Sequence, residues 1–161
     1  MTDIRPVTPA DRPRIRTIAE NIGLFEPEEV AFFLAAFDDG NGGDCGSIWL
    51  VPDAPDIFAL AQLAPEPMSD NVWNMLFVGV LSESRRQGVA TALLAATETM
   101  ARERGGRLLL IDTASGEEMA AAHGFYTARG YVREAIIRDY YGDGIDRITY
   151  LRRLKGEAQP V

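Results

Sequence analysis

A helix-forming run that begins at Arg85 opens with two arginines, a glutamine and a single glycine, Gly88. A helix start ordinarily carries Ser, Thr, Asp or Asn as its cap, with acidic residues in its first turn. Positive charge and a glycine suit an incoming anion instead, because the first N–H groups of a helix have no acceptor within it and the helix dipole favours negative charge there. The run therefore predicts a site for a small phosphorylated ligand.

Neither of two common phosphate loops accounts for this start. The P-loop requires G-x-x-x-x-G-K-[ST], and no glycine of this run precedes a lysine. The dinucleotide fingerprint requires G-x-G-x-x-G, which the run also lacks. What remains is Arg85-x-x-Gly88-x-Ala90, placed after a predicted strand and at the start of a predicted helix.

Composition and charge limit the classes of function. The 161 residues carry a net charge of −8, which argues against nucleic acid as the main partner, because a phosphate backbone requires a broad basic face. No apolar run approaches the roughly 20 residues that span a bilayer, and the first residues lack the apolar core of a signal peptide. The single Cys45 cannot form an internal disulfide, so we expect a cytoplasmic protein with no membrane partner.

Apolar periodicity predicts one α/β (α+β) domain over residues 1–154, followed by a frayed tail at 155–161. The stretch VWNMLFVGVL, residues 72–81, is apolar on both faces and is predicted to be a central strand covered on both sides. A helix and the strand RLLLIDT, residues 107–113, follow it with short links. This order implies a right-handed βαβ unit with two parallel strands.

The last third of the chain predicts one more helix and a hairpin. Ser115 and Glu118 have the spacing of a capping box, and Gly130 is expected to end the helix. Two further strands are expected to meet at the sequence GDG, residues 142–144.

In this context, Arg85-x-x-Gly88-x-Ala90 resembles the pyrophosphate loop [Q/R]-x-x-G-x-[G/A] of the GNAT superfamily, the acyl-CoA-dependent N-acetyltransferases. The stretch GFYTARGY, residues 124–131, resembles their second signature, a helix that carries a tyrosine and is followed by a Gly-aromatic pair. The resemblance runs from DIRPV to YLRRL, almost the whole chain. It implies a single mixed, mostly antiparallel sheet of about six to seven strands with one parallel βαβ unit, flanked by about four helices.

The resemblance implies acetyl-CoA as the co-substrate and no metal. In relatives, backbone N–H groups of the loop hold the pyrophosphate of the coenzyme, and the pantetheine arm pairs with the backbone of the preceding strand. The positions that correspond to the loop are Arg85, Arg86, Gln87, Gly88, Val89, Ala90 and Thr91. Those that correspond to the strand are Val78, Gly79 and Val80.

Two residues carry the expected chemistry. Tyr126 occupies the position of the tyrosine that acts as general acid in relatives, although a core aromatic residue is the alternative interpretation. Many relatives have a carboxylate on the central strand that removes the proton of the amine, and the matching residue here is Asn74. Because an amide is no base near neutral pH, we hypothesise that Asn74 orients a water that relays the proton, and the base itself is left open.

The acceptor of the acyl group is expected to be an amine. Tyr140 and Tyr141, with Asp143 and Asp146 beside them, suit a small cation by charge and by cation–π contact. The paired tyrosines also resemble those of acetylases of protein N-termini, so a small amine and a peptide N-terminus both stay open, as does a homodimer. The alternative to an N-acetyltransferase is a non-catalytic module that binds acyl-CoA, for which Asn74 is the best argument.

Overall fold

The computed structural model describes residues 2–40, 46–85 and 88–155. Cys45, Arg86, Gln87 and all but the first residue of the predicted tail lie outside the described residues. The helices are α1 (Arg12–Asn21), α2 (Pro27–Gly40), α3 (Val89–Glu103) and α4 (Ala120–Ala128). The strands are β1 (Ile4–Pro6), β2 (Ile48–Pro52), β3 (Ala59–Pro65), β4 (Val72–Val80), β5 (Leu108–Ala114), β6 (Val132–Gly142) and β7 (Ile145–Arg153).

The strands form one seven-stranded sheet in the order β1-β2-β3-β4-β5-β7-β6. The β4–β5 pair is parallel, and its register runs from Val72 opposite Leu108 to Met75 opposite Ile111. The pairs β1–β2, β2–β3, β5–β7 and β6–β7 are antiparallel. Within the described part of the chain, this sheet and its four α-helices confirm the predicted fold class.

The chain divides into two compact units. The first unit comprises Met1–Pro65 and Leu76–Met100, and the second comprises Glu66–Met75 and Ala101–Val161. The expectation of one domain over residues 1–154 stays a prediction. None of the described helices is long and apolar enough to cross a membrane.

The core of the first unit lies between two helices and three strands. Ile15 and Ile18 of α1 and Leu34 and Phe37 of α2 are buried in one cluster with Trp49 of β2. The start of α1 is held by charge, because the Asp11 carboxylate accepts the backbone N–H of Thr8 at 2.8 Å and pairs with Arg5 at 2.8 Å. The hydrogen bond from Arg5 lowers the pKa of Asp11, despite the opposing effect of burial.

The second unit is built on the alternation of side chains along β5. Leu109, Ile111 and Thr113 are buried, whereas the residues between them are half-buried. Successive side chains of a strand point to opposite faces, so β5 presents an apolar face and a mixed face.

Two sequence expectations were wrong in detail. Leu76 of β4 is 54% exposed, so the central strand is not covered on both sides throughout. The capping box at Ser115 does not form, because the Ser115 hydroxyl accepts the backbone N–H of Asp146 at 2.8 Å and α4 begins only at Ala120, after a 3₁₀ turn at Glu117–Met119. Gly130, with φ +85°, follows the end of α4 as predicted.

Two glycines of the second unit provide a matched test of packing. A Cβ on Gly106 would lie 2.7 Å from the Ala101 carbonyl oxygen and 2.9 Å from Trp73 Cδ1, whereas a Cβ on Gly124 in α4 would meet nothing within 4 Å. We expect Gly106→Ala to lower the free energy of unfolding by about 1 to 3 kcal/mol through overpacking. Gly124→Ala should raise it by about 0.5 to 1 kcal/mol through helix propensity. Urea denaturation of both variants measures the difference, and equal effects would contradict the packing at Gly106.

Candidate active site

The predicted phosphate loop follows β4 in the first unit. Its entry is anchored to the segment before β3, because Leu81 N–H donates to the Phe58 carbonyl at 2.9 Å and Ser84 Oγ accepts Phe58 N–H at 2.9 Å. Arg85 is exposed, and its Nε donates to the Val80 carbonyl at 3.3 Å. The part of the loop up to Arg85 is therefore anchored to the first unit, and it carries an exposed cationic side chain.

Gly88 lies immediately before α3 and has a φ of +70°, a conformation that side chains rarely adopt. A Cβ at this position would meet no atom within 4 Å, so the backbone of Gly88 faces open space. Val89 begins the helix and is buried, Ala90 is half-buried and Thr91 is exposed. The structure thus brings the described residues of the predicted loop to a helix start with an accessible backbone.

The three predicted strand residues, Val78, Gly79 and Val80, close β4. The register that pairs β4 with β5 includes Met75 as its last β4 residue, although β4 continues to Val80. Gly79 packs closely, since a Cβ there would lie 2.8 Å from the Phe77 ring and 3.2 Å from Ile22. A side chain at Gly79 would therefore displace its neighbours.

Tyr126 of α4 lies in an aromatic cluster of the second unit. Its ring centroid is 5.7 Å from that of Tyr150 and 6.1 Å from that of Tyr131. Burial raises the pKa of Tyr126 to about 12, because the phenolate would lose its solvation. The hydroxyl is therefore protonated at neutral pH. His123 lies one turn earlier on α4. Its Nε2 is 2.8 Å from Thr113 Oγ1, so the imidazole is hydrogen-bonded to β5.

Asn74 is the centre of a polar cluster that sequence reasoning missed. Its Nδ2 donates to Glu66 Oε1 at 2.7 Å and to Asp112 Oδ2 at 3.0 Å. Asp112 Oδ1 accepts the Thr149 hydroxyl at 2.6 Å and lies 3.2 Å from Arg147 Nε. Burial lowers the pKa of Arg147, but the charge of Asp112 and hydrogen bonds raise it by more. The pKa of Arg147 is therefore above its ordinary value, and Arg147 stays a cation.

This cluster and Tyr126 lie on opposite faces of the sheet in the second unit. Asp112 and Thr149 are directly opposite each other in the β5–β7 register, and Asp112 reaches Asn74 on the β4 side. The neighbouring residues Thr113 and Tyr150 instead contact His123 and Tyr126 of α4. Because successive side chains alternate between faces, α4 covers the face that the polar cluster does not use.

The hairpin residues predicted to bind the substrate already have intramolecular partners. The Arg147 guanidinium carbon lies 4.9 Å from the centroid of the Tyr140 ring. Asp146 accepts the backbone N–H of Asp139 at 3.0 Å and pairs with Arg138 at 3.5 Å. Tyr140 and Tyr141 are in edge-to-face contact at 4.9 Å, and both remain about half exposed. A ligand can therefore still reach both rings.

A groove of about 490 Å³ runs along α2 in the first unit. Aromatic rings form its walls and two glutamates stand beside them. The lining residues are Phe25, Glu28, Glu29, Phe32, Phe33 and Ala36. No group of three or more potential metal ligands occurs among the residues that the structure describes.

Residues 7–131 match the sequence model of a family described as the acetyltransferase (GNAT) family. The chain belongs to this family. Residues 7–131 include the β4–α3 loop and α4, so the GNAT match covers both segments on which the sequence resemblance was based. None of the curated proteins compared with the chain matches it.

Solved GNAT structures share the fold. A protein assigned to the GNAT family from Desulfovibrio desulfuricans is 26% identical, with a TM-score of 0.87 over 96% of this chain and 99% of that chain. An aminoglycoside 6'-N-acetyltransferase in complex with coenzyme A is 15% identical, with a TM-score of 0.75 over 94% and 97% of the two chains. The ribosomal-protein-S18-alanine N-acetyltransferase of Escherichia coli is 20% identical, with a TM-score of 0.73 over 100% and 99%.

The burial of Tyr126 predicts a loss of stability in alkali. An unfolded tyrosine ionises near pH 10, whereas the folded pKa is about 12, so the unfolded state loses its proton first as the pH rises. Tyr126 therefore leaves the free energy of unfolding unchanged below about pH 10. Between pH 10 and pH 12 its ionisation in the unfolded state lowers that free energy by about 2 kcal/mol. Urea denaturation at pH 8 to 12 should show a shallower decline for Tyr126→Phe than for the unchanged protein. Parallel declines would contradict the buried phenol.

Proposed function

We propose that the protein is an acetyl-CoA-dependent N-acetyltransferase that moves an acetyl group to a primary amine by direct attack. The observation that carries the proposal is the GNAT-type loop from Arg85 to Thr91, in which Gly88 opens α3 with a left-handed backbone and open space beside it. Acetyl-CoA supplies the acetyl group as an activated thioester when it is bound.

The loop fits a pyrophosphate. N–H groups at a helix start and the dipole of α3 favour an anion, and the exposed Arg85 adds a positive charge. Open space beside Gly88 supports a close approach to the backbone. Arg86, Gln87, Val89, Ala90 and Thr91 complete the proposed loop.

The end of β4 fits an extended amide chain. Val78, Gly79 and Val80 lie beyond the residues that pair with β5. Backbone N–H and C=O groups require partners, and a strand-like pantetheine arm would supply them.

Tyr126 is proposed as the general acid. A general acid must hold its proton at the working pH, and a phenol of ordinary pKa about 10 already does so. Burial raises the pKa of Tyr126 to about 12 and makes it a weaker donor, which suits sharing the proton with the sulfur more than full transfer. Its hydroxyl would give or share that proton with the departing thiolate sulfur. The rings of Tyr131 and Tyr150 pack around Tyr126.

Asn74 is assigned to the amine side together with the hairpin tyrosines. It lies on the face of the sheet opposite to Tyr126, so the proton would leave the amine on one face and reach the sulfur from the other. Asn74 would orient a water that relays the proton of the amine, because its own amide is no base. Tyr140 and Tyr141 would contact the acceptor. The aminoglycoside and ribosomal-protein acetylases named above both act on amines, which supports an amine here while the two acceptor types, small amine and peptide N-terminus, remain for experiment to distinguish.

Release of CoA from acetyl-CoA, measured over a panel of amines, tests the function. The panel should contain butylamine, spermidine, an aminoglycoside and a tripeptide with a free N-terminal alanine. Turnover on any of them supports the enzyme. Tight binding of acetyl-CoA without turnover would favour the alternative, a non-catalytic acyl-CoA-binding module.

Coenzyme binding should depend on Gly88. Acetyl-CoA at 100 times its dissociation constant should stabilise the fold by about 2.7 kcal/mol. Gly88→Val should abolish this gain, because a branched side chain blocks the approach to the backbone. The measurement is the melting temperature with and without acetyl-CoA.

Gly130→Val is the matched control for that experiment. Gly130 also has a positive φ, +85° against +70° at Gly88, and open space beside it. Both variants should therefore melt at a lower temperature without ligand, but only Gly88→Val should lose the ligand-induced shift. Loss of the shift in both variants, or in neither, would contradict the proposed loop.

Removal of the Tyr126 hydroxyl should impair catalysis more than binding. Tyr126→Phe keeps the ring, so the fold and the affinity for acetyl-CoA should persist while kcat falls by roughly 10- to 1,000-fold. Tyr150→Phe, in the same aromatic cluster, is the control and should keep kcat within about twofold. If Tyr126→Phe matches this control under conditions where chemistry limits the rate, Tyr126 has no part in the reaction.

A further inference from the structure

The buried amide of Asn74 is left with one unused atom. Asn74 is only 4% exposed, and its Nδ2 donates to two carboxylates, one on Glu66 and one on Asp112. The two carboxylates fix the orientation of the amide, because the reverse orientation would place oxygen against oxygen. Asn74 Oδ1 is then buried without a donor among the described groups. A buried acceptor without a donor is costly, so this atom indicates a ligand that donates hydrogen bonds.

The two carboxylates beside Asn74 differ in whether an oxygen atom is left without a hydrogen-bond partner. Both oxygens of Asp112 are engaged, Oδ1 by Thr149 and Arg147 and Oδ2 by Asn74. Glu66 receives Asn74 at Oε1, and its Oε2 has no partner within the described part of the chain. Glu66 Oε2 and Asn74 Oδ1 are therefore two acceptor atoms that can receive donors from one bound group.

The backbone of Glu66 is held in place although it lies in the turn between β3 and β4. Pro65 and Pro67 flank it, and a residue before proline is confined to extended conformations. Its N–H donates to the Val72 carbonyl at 2.8 Å, and its carbonyl accepts the Ser69 hydroxyl at 2.8 Å. The backbone of Glu66 is therefore ordered before a ligand binds, and no backbone entropy is lost there on binding.

The charge of the cluster identifies the class of ligand. Glu66 and Asp112 are two negative charges, and Arg147 on β7 is the positive charge that pairs with Asp112. One negative charge is left, on Glu66. Tyr140 and Tyr141 on β6 bring only neutral hydroxyls to this count of charges. A primary ammonium would neutralise the remaining charge and has three N–H donors for the two unused acceptors.

We propose that Glu66 and Asn74 Oδ1 receive the ammonium group of the acceptor substrate and that Glu66 removes its proton, with Asn74 and Asp112 as positioning residues. This inference rests on the proposed acetyltransfer and replaces the water relay at Asn74 with direct transfer of the proton to Glu66. The proton passes from the substrate nitrogen to Glu66 Oε2, and the electron pair of the broken N–H bond stays on nitrogen as the lone pair that attacks the acetyl carbon. Glu66 then returns this proton to water. As the C–N bond forms, the nitrogen loses its second proton to water and the thioester C–S bond breaks with its electron pair on sulfur. Tyr126 supplies the proton of the resulting thiol and regains one from water. The carboxylate absent from the central strand is thus supplied from the adjacent turn.

The test compares Glu66→Gln with the unchanged protein, using the best acceptor of the amine panel. Glutamine keeps an oxygen for Asn74 Nδ2, so the acetyl-CoA thermal shift should persist. We expect kcat/KM at pH 7 to fall by about 100-fold. The residual rate should rise about tenfold per pH unit towards the pKa of the amine, because only amine that is already neutral reacts. The loss should be smaller for a peptide α-amino group, of pKa about 8, than for an alkyl amine, of pKa about 10.

Asp70→Asn is the matched control, since Asp70 lies in the same turn with an exposed side chain. It should keep both the rate and the pH profile. Asn74→Asp places a third carboxylate in the cluster and should lower activity by repulsion.

The outcomes distinguish failure of this inference from failure of the proposed function. Turnover by the unchanged protein with a Glu66→Gln rate and pH profile within twofold of it overturns the inference and leaves the proposed function standing. A gain in activity below neutral pH for Asn74→Asp also overturns it, because position 74 would then act as the base. Absence of turnover in the unchanged protein on every amine overturns both.

Discussion

The parallel pairing of β4 with β5 is the constraint on which the arrangement depends. Strands that run in the same direction cannot be joined by a tight turn, so the chain must cross over through α3. The start of α3 therefore follows the carboxyl end of β4, and the direction of the chain reverses before α3 begins. A glycine with φ +70° is the device that completes this reversal. The crossover that makes β4 and β5 parallel thus also places an accessible helix start after β4.

Much of the fold could be predicted because its signals are local. The apolar runs at residues 72–81 and 107–113 indicated β4 and β5, and the helix-forming run that begins at Arg85 indicated α3. Errors arose where a distant partner competed with a local pattern. Ser115 has the spacing of a capping residue, but its hydroxyl accepts a backbone N–H from β7, 31 residues away. Leu76 is apolar, yet the alternation of a strand cannot tell which side a neighbouring element covers.

The residues of the candidate site also differ in whether a local pattern could predict them. The loop at Arg85 and the tyrosine of α4 are contiguous motifs, so the sequence could place them before the structure was known. The partners of Asn74 could not be predicted in this way. Asp112 is 38 residues from Asn74, and Thr149 a further 37 residues from Asp112, so only the strand register brings them together. Glu66 is near Asn74 in sequence, but its direction depends on a turn between two prolines.

Each compact unit carries one of the two tryptophans of the chain. Trp49 is 2% exposed among the rings of Phe33 and Phe37, and Trp73 is 7% exposed beside Gly106. Both indoles are shielded from water in the folded chain and would meet it only when their own unit opens. The fluorescence of single-tryptophan variants therefore reports on each unit separately and can reveal whether the protein unfolds in one cooperative step or in two.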